Sequence, residues 1–201
     1  MDSLSLLAEK NRTDKGLWHH GYTPIYNKYF SPLRHSPISL LEIGIGGYEY
    51  PDKGGESLRM WAEYFPNGHI IGVDLNKKNI ELPSNVTVYQ GDQTEWDLWN
   101  ELIEQEGCPD IIIDDGSHIC SHIITTFELL FDKLNAGGIY VIEDTETSYW
   151  QDLYGGGNHE MTTMNYFKQL ADCLNPESGM QNIGIESIHF YSGLIFIFKC
   201  P

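Results

Sequence analysis

The residues best equipped for chemistry lie in two short runs, Asp114-Asp115-Gly116-Ser117-His118 and Glu143-Asp144. Each follows a run of apolar residues, 111–113 and 139–142. Carboxylates gathered at one rim repel one another and resist burial unless a cation offsets them. An all-oxygen donor set suits a hard divalent ion such as Mg²⁺. Asp115, Glu143 and Asp144 are the expected ligands. Alternation along a strand turns Asp114 away from Asp115, towards a helix cap or solvent. His118 is a candidate general base, because an imidazole can take a hydroxyl proton near neutral pH and a nearby cation eases that loss. His118 and His122 also stand at the i, i+4 spacing that zinc ligands use, but no third His or Cys falls in register. His19, His20 and His35 receive no role from spacing. Nor does the chain display a His-carboxylate triad for iron.

A second group begins at Glu42-Ile43-Gly44-Ile45-Gly46-Gly47. Glycines there admit a ligand close to the backbone, although a tight turn explains them equally well. Asp74 ends the next apolar run, where a carboxylate can accept from two ribose hydroxyls. The third glycine of a dinucleotide GxGxxG is missing: counting from Gly44, Glu49 takes its place. Glu42 and Glu49 would also repel a pyrophosphate. An adenosine ligand without phosphate fits better, which points to S-adenosylmethionine, whose sulfonium suits acidic surroundings. Asp92 and Gln93 can bond an adenine edge or cap the helix that follows, and the two readings weigh equally.

These residues need elements to hold them. The spacing predicts strands over 38–44, 69–74, 86–92, 109–116 and 138–144. Helices are expected over 56–65, 94–106 and 119–134, the last ending at a left-handed Gly137-Gly138 cap, and near 160–173. Trp96, Trp99, Leu102 and Ile103 should face inward. Thr23-Pro24 reads as a helix start with the Thr hydroxyl capping, and Ile25, Tyr26, Tyr29 and Phe30 share the face behind it. The end reads as a hairpin, 185–191 and 194–200, turned at Ser192-Gly193. Strands alternating with helices make an α/β fold, a Rossmann-like, seven-stranded, mostly parallel sheet with an antiparallel last strand and helices on both faces. Ligands in such sheets bind beyond the carboxyl ends of the strands, where the candidate residues fall. The expected organisation is one domain, 1–201, with an N-terminal helical arm (1–36) and a core (37–201).

The 201 residues carry 12 Lys plus Arg against 29 Asp plus Glu, a net charge of −17, which argues against nucleic acid or an anionic membrane as partner. No apolar run is long enough to span a bilayer, and the start lacks a signal-peptide pattern. The four cysteines form no CxxC pair, so a reduced, cytoplasmic protein is expected.

The sequence resembles the metal-dependent S-adenosylmethionine sugar O-methyltransferases of macrolide biosynthesis, the macrocin and mycinamicin type, which are class I methyltransferases. The matching segments run from Thr13 to the final hairpin: TDKG (13–16), HGYTPIY (20–26), LEIGIGG (41–47), GGESLRMW (54–61), GVDL (72–75), QGDQ (90–93), IIIDDGSH (111–118) and GGIYVIED (137–144). The resemblance implies Asp115, Glu143 and Asp144 as metal ligands, His118 as base and Asp74 on the ribose. It adds Ser57 and the TDKG segment as wall of the cofactor pocket. The candidate cofactor set is then Glu42, Gly44, Gly46, Ser57, Asp74, Asp92, Gln93 and Asp114. Catechol-type enzymes carry an Asp pair with Asn where this chain has Glu143-Asp144, so a sugar hydroxyl is the expected acceptor. The loop 145–159, with Tyr149, Trp150 and Tyr154, is expected to cover it. Only Lys53, Arg59, Lys15 and Arg34 stand ready for a phosphorylated acceptor. Some family members carry a further N-terminal domain; without it, loops or a neighbouring subunit must complete the acceptor site, and a homo-oligomer is expected. The alternatives are a non-catalytic S-adenosylmethionine-binding partner of another methyltransferase and, disfavoured by the glycines, an NAD-dependent oxidoreductase.

Overall fold

A computed structural model describes residues 2–151, 154–157 and 161–201. The chain divides into two compact units, Met1–Asp92 and Gln93–Pro201.

In the first unit, helix α1 (Ser3–Asn11) and helix α2 (Thr23–Phe30) precede strand β1 (Ser39–Ile43), helix α3 (Glu56–Tyr64), strand β2 (His69–Asp74) and strand β3 (Val86–Gln90). The strands are parallel in the order β3-β2-β1, with Leu41 opposite Ile71 and Ile71 opposite Thr87. Leu58, Trp61, Ala62 and Phe65 recur at helical spacing and are buried as the pattern requires. Trp61 packs edge-on to Tyr26 and Phe30, with ring centroids 5.2 and 5.8 Å away. Tyr26 and Phe30 are fully buried, while Ile25 and Tyr29 are half-buried. The start of α2 differs from expectation. Tyr22 is its N-cap, Pro24 follows Thr23 in the first turn, and the Thr23 hydroxyl pairs with that of Ser5 at 2.8 Å. A buried hydroxyl partner on α1 outcompetes the local cap.

The second unit holds helix α4 (Trp96–Glu106), strand β4 (Ile111–Asp114), helix α5 (Cys120–Leu130), strand β5 (Ile139–Ile142), helix α6 (Thr163–Leu170), strand β6 (Ile185–Tyr191) and strand β7 (Leu194–Lys199). Their order is β4-β5-β7-β6. β4 and β5 are parallel, with Asp114 opposite Ile142. β7 runs antiparallel to both β5 and β6, closing the expected hairpin. Phe127 of α5 anchors the core, edge-on to Tyr140 at 5.2 Å and to Phe167 at 4.9 Å.

Two details depart from the sequence pattern. Trp96 is 59% exposed, because α4 begins at Trp96 with Glu95 as its N-cap and buries Trp99 and Leu102 instead. Helix α5 ends at Leu130, runs through a short 3₁₀ turn (Phe131–Lys133), and leaves helical geometry at Leu134, ahead of Gly137. Gly137, at φ +72°, serves the turn into β5, donating its N–H to the Cys200 carbonyl. The fold class is α/β and Rossmann-like, with seven mostly parallel strands and an antiparallel last strand. Among the described residues no helix is long and apolar enough to cross a membrane.

Candidate active site

Asp115 and His118 lie just past β4; Glu143 and Asp144 follow β5. The parallel register sets these strand ends side by side, and the Glu143 N–H donates to the Asp114 carbonyl at 3.0 Å. Asp115, His118 and Asp144 each offer a ligand atom within 4.8 Å of the others, and Asp115 stands equally close to Glu143. His118 Nε2 is 3.8 Å from Asp144 Oδ2 and 4.0 Å from Asp115 Oδ1. Glu143 is 2% exposed; the side chains of Asp115 and Asp144 keep 21% of their surface.

The backbone is strained at two of these four residues. His118 has φ +57° and Asp144 has φ +51°, a region costing an L-residue about 1–2 kcal/mol. Such strain persists only where the surroundings over-determine it, and it clusters at functional sites. The surroundings of the His118 turn centre on Gln93, 7% exposed. Its Nε2 donates to Asp114 Oδ1 (3.2 Å) and to the Thr126 hydroxyl (3.0 Å), and its Oε1 accepts the Ser117 N–H (2.8 Å). A Cβ on Gly116 would collide with Gln93 Oε1, so only glycine lets the turn approach this closely. The Ser117 hydroxyl in turn accepts the Ile119 N–H and pairs with His122 Nδ1 at 3.0 Å. Gln93 and Ser117 thus clamp the turn that presents Asp115 and His118.

Asp114 points into the protein, 1% exposed, rather than to a cap or solvent. Burial pushes its carboxyl up to about 7, against the opposing pull of the Gly116 N–H, His118 and Gln93. Burial likewise lifts the Tyr140 hydroxyl well above its ordinary value, with the Asp114 charge adding to the effect.

The donor set fits a hard divalent cation. Its three candidate ligands are carboxylates from two neighbouring strand ends. Glu146, two residues past Asp144, has a buried Oε2 with no hydrogen-bond partner and a carboxylate oxygen within 4.8 Å of one on Asp144. Such crowding of anionic oxygens is what a bound cation relieves.

The remaining cofactor candidates divide between the units: Gln93 and Asp114 in the second, Glu42, Gly44, Gly46, Ser57, Asp74 and Asp92 in the first. The turn after β1 is built from left-handed glycines, with Gly44 at φ +80° and Gly46 at +74°. A Cβ on Gly54 would lie 2.5 Å from the Gly46 carbonyl, so the loop's two limbs run in backbone contact. Asp74 accepts the N–H of Ile45 (3.2 Å) and of Asn76 (2.8 Å), fastening this turn to the end of β2. This tight, hydrogen-bonded cradle beside a strand-end carboxylate fits an adenosine-bearing cofactor. Glu42 and Ser57 face each other: the Ser57 hydroxyl donates to Glu42 Oε2 at 2.7 Å.

Of the cations considered for a phosphorylated acceptor, Lys15 is buried against Glu42, Arg34 donates to Ser3 Oγ and lies over the Tyr64 ring, and Arg59 is bonded to the Gly54 and Glu81 carbonyls and to Glu56. Tyr149 and Trp150 are exposed, and Trp150 meets Tyr154 edge-on at 5.4 Å. Asp152, Leu153, Asn158 and His159 of the expected acceptor loop, and Glu160 at the expected helix start, lie outside the described residues. Sequence reasoning missed the clamp through Gln93 and Thr126 and the buried position of Lys15. The only signal was the place of QGDQ and TDKG among the matching segments.

No family model matches the chain. Curated relatives do. The chain is 38% identical over 207 residues to 8-demethyl-8-alpha-L-rhamnosyl tetracenomycin-C 2'-O-methyltransferase of Streptomyces olivaceus, covering 98% of this chain and 54% of that protein. It is 38% identical over 208 residues to demethylmacrocin O-methyltransferase of Streptomyces fradiae, covering 98% and 53%. Among solved structures, the MycE methyltransferase of the mycinamycin biosynthetic pathway, in complex with Mg, SAH and mycinamycin VI, aligns with a TM-score of 0.88 at 36% identity, over 99% of this chain and 55% of that one. The fold is therefore that of class I methyltransferases. Within that class the chain is a homologue, over nearly its whole length, of the sugar O-methyltransferases of the macrocin and mycinamicin type. It spans about half the length of these relatives.

Proposed function

We propose that this chain is an S-adenosylmethionine- and Mg²⁺-dependent O-methyltransferase acting on a sugar hydroxyl. The observation that carries the reading is the convergence of Asp115, Glu143 and Asp144 with His118 at the ends of β4 and β5, with His118 and Asp144 in strained backbone. In this reading residues 1–201 act as one methyltransferase domain, cytoplasmic and homo-oligomeric. The four free cysteines accord with a reducing compartment. The acceptor in this reading is the sugar of an antibiotic or natural-product glycoside, a nucleotide sugar or a surface glycan, and the relatives named above support the antibiotic glycoside.

Asp115, Glu143 and Asp144 would hold the divalent ion, which when bound supplies positive charge that eases loss of the acceptor's proton. S-adenosylmethionine supplies the methyl group. His118 Nε2 receives the proton from the acceptor hydroxyl, and the carboxylates of Asp115 and Asp144, about 4 Å away, stabilise the imidazolium that results. Asp74 would take the cofactor's ribose hydroxyls. Ser57 and Glu42 hold the turn around the cofactor, Gly44 and Gly46 admit it, and Asp92 at the end of the same unit would border the base. The clamp through Gln93 keeps His118 in place, and methyl transfer depends on such positioning because the three reacting atoms must lie in line.

The test replaces His118 with Ala and measures methyl transfer and cofactor binding separately, on a panel of glycosides and nucleotide sugars. Turnover should fall about 10²–10⁴-fold with binding retained. Lost binding with turnover little changed would remove the base assignment. Chelation with EDTA should abolish activity and Mg²⁺ restore it; full activity in chelator would remove the metal. A non-catalytic partner subunit would bind cofactor and turn over nothing on the panel.

A further inference from the structure

Lys15 and Glu42 form an ion pair at a depth where charges are seldom found. Lys15 is 1% exposed and Glu42 fully buried, with Nζ 3.4 Å from Oε1. Glu42 lies on β1, two residues before Gly44 opens the glycine turn. Its Oε1 also accepts the Trp61 indole N–H at 3.2 Å, and its Oε2 takes the Ser57 hydroxyl. Ser57 is in the first turn of α3, where the loop that began at Gly44 ends. One carboxylate therefore ties both ends of that loop, directly along the chain at one end and through Ser57 at the other.

Lys15 reaches this carboxylate from the N-terminal arm, and its own backbone is fastened. The Thr13 N–H donates to the Ala8 carbonyl at the end of α1, and the Tyr22 and Thr23 N–H groups both donate to the Lys15 carbonyl at the start of α2. The ammonium thus joins both helices of the arm to the loop's anchor. A methionine would fill the same space without desolvating two charges. An apolar side chain, however, tolerates sliding, whereas a charge facing a fixed acceptor sets one register.

We propose that Lys15 is a positioning residue for the cofactor turn: by holding the Glu42 carboxylate it fixes the two ends of the 44–56 loop, so that docking of the N-terminal arm sets cofactor affinity. The inference rests on the S-adenosylmethionine reading given above. It differs from a role for Lys15 in lining the pocket, since its ammonium faces Glu42 and is shut off from solvent.

The test uses Lys15→Met, Glu42→Gln and the double variant in the full chain, each checked by circular dichroism to be folded at the working temperature. Calorimetric titration with S-adenosylhomocysteine gives the affinity. Amide hydrogen exchange is followed at Ile45, whose N–H bonds Asp74, and at Gly55, whose N–H bonds the Ile45 carbonyl. Lys15→Met should weaken S-adenosylhomocysteine at least tenfold and speed exchange at both amides. The double variant, which has no charge pair to set the register, should stay as weak as Lys15→Met; recovery of affinity would trace the single-variant loss to an uncompensated charge and overturn the proposal. A pair that merely supports the core would lower the melting temperature of the single variants and leave affinity and the two exchange rates unchanged; that result overturns the proposal. Should Lys15→Met not fold, Glu42→Gln carries the same measurements, with the same decrease expected and the same unchanged outcome decisive against it. If the unaltered protein does not bind S-adenosylhomocysteine, the cofactor reading fails on its own. Exchange at Ile45 and Gly55 then decides the coupling: faster in the variant sustains it, unchanged removes it.

Discussion

At the scale of single residues, the site trades stability for geometry. His118 and Asp144 occupy a backbone region that glycine enters freely and other residues do not. Replacing His118 with Gly should leave folding stability level or raise it by up to about 1 kcal/mol, while methyl transfer falls about 10²–10⁴-fold. Thermal melts beside turnover check this, and a clear loss of stability would mean that the strain reading is wrong. Thr126 answers to a different rule. Its hydroxyl accepts from Gln93 Nε2 and donates to the His122 carbonyl at 2.7 Å. Thr126→Val keeps the shape and leaves a buried Gln93 donor short of a partner, at a cost of about 1–3 kcal/mol. Denaturant titration reads that cost, and turnover should drop with it, because the same Gln93 holds the His118 turn.

At the scale of elements, caps and turns carry consequences that can be measured alone. Asp2 caps α1, accepting the Ser5 N–H at 2.9 Å and the Ser5 hydroxyl at 2.7 Å. Partial burial pulls the Asp2 carboxyl upward, but these hydrogen bonds outweigh it and hold the group below its ordinary value of 3.8. A depressed folded-state value means that the cap's contribution is complete above the unfolded value and disappears as pH falls through the folded one. Asp2→Ala should therefore cost about 1 kcal/mol near neutrality and nothing in strong acid, as melts across pH would record. The elements were largely legible in the sequence because apolar spacing alone sets them: Leu58, Trp61, Ala62 and Phe65 bury one helix face, and each apolar run of the core is a strand. Two departures share a cause. Thr23 and Gly137 were read from local chemistry and took tertiary partners instead, the Ser5 hydroxyl and the Cys200 carbonyl, whereas Trp96 matched the apolar spacing but stands exposed in the first turn of α4. The candidate site was legible as residue types at strand ends. The Gln93 clamp and the Lys15–Glu42 pair were not, because they join residues far apart in sequence through side-chain contacts that no periodicity encodes.

For the whole molecule, a charge of −17 makes general and specific cation effects easy to confuse. They separate by salt. Relief of diffuse repulsion is screened beyond a Debye length of about 8 Å at physiological ionic strength, whereas coordination at Asp115, Glu143 and Asp144 is not. Millimolar Mg²⁺ should raise the melting temperature by an increment that survives added KCl and is absent in Asp115→Asn. A hundredfold excess over Kd corresponds to about 2.7 kcal/mol. An increment that KCl abolishes would assign the effect to diffuse charge. The buried pair in the first unit has a further consequence, and it concerns descent. Removing one partner of a buried ion pair costs about 3–5 kcal/mol, a large part of the 5–15 kcal/mol that holds a typical domain together, and Lys15 and Glu42 form such a pair. A lineage can keep both or exchange both, but its single-step intermediates are penalised. The two positions should therefore be inherited as a unit, and the glycine turn between them and α3 should drift only where they do.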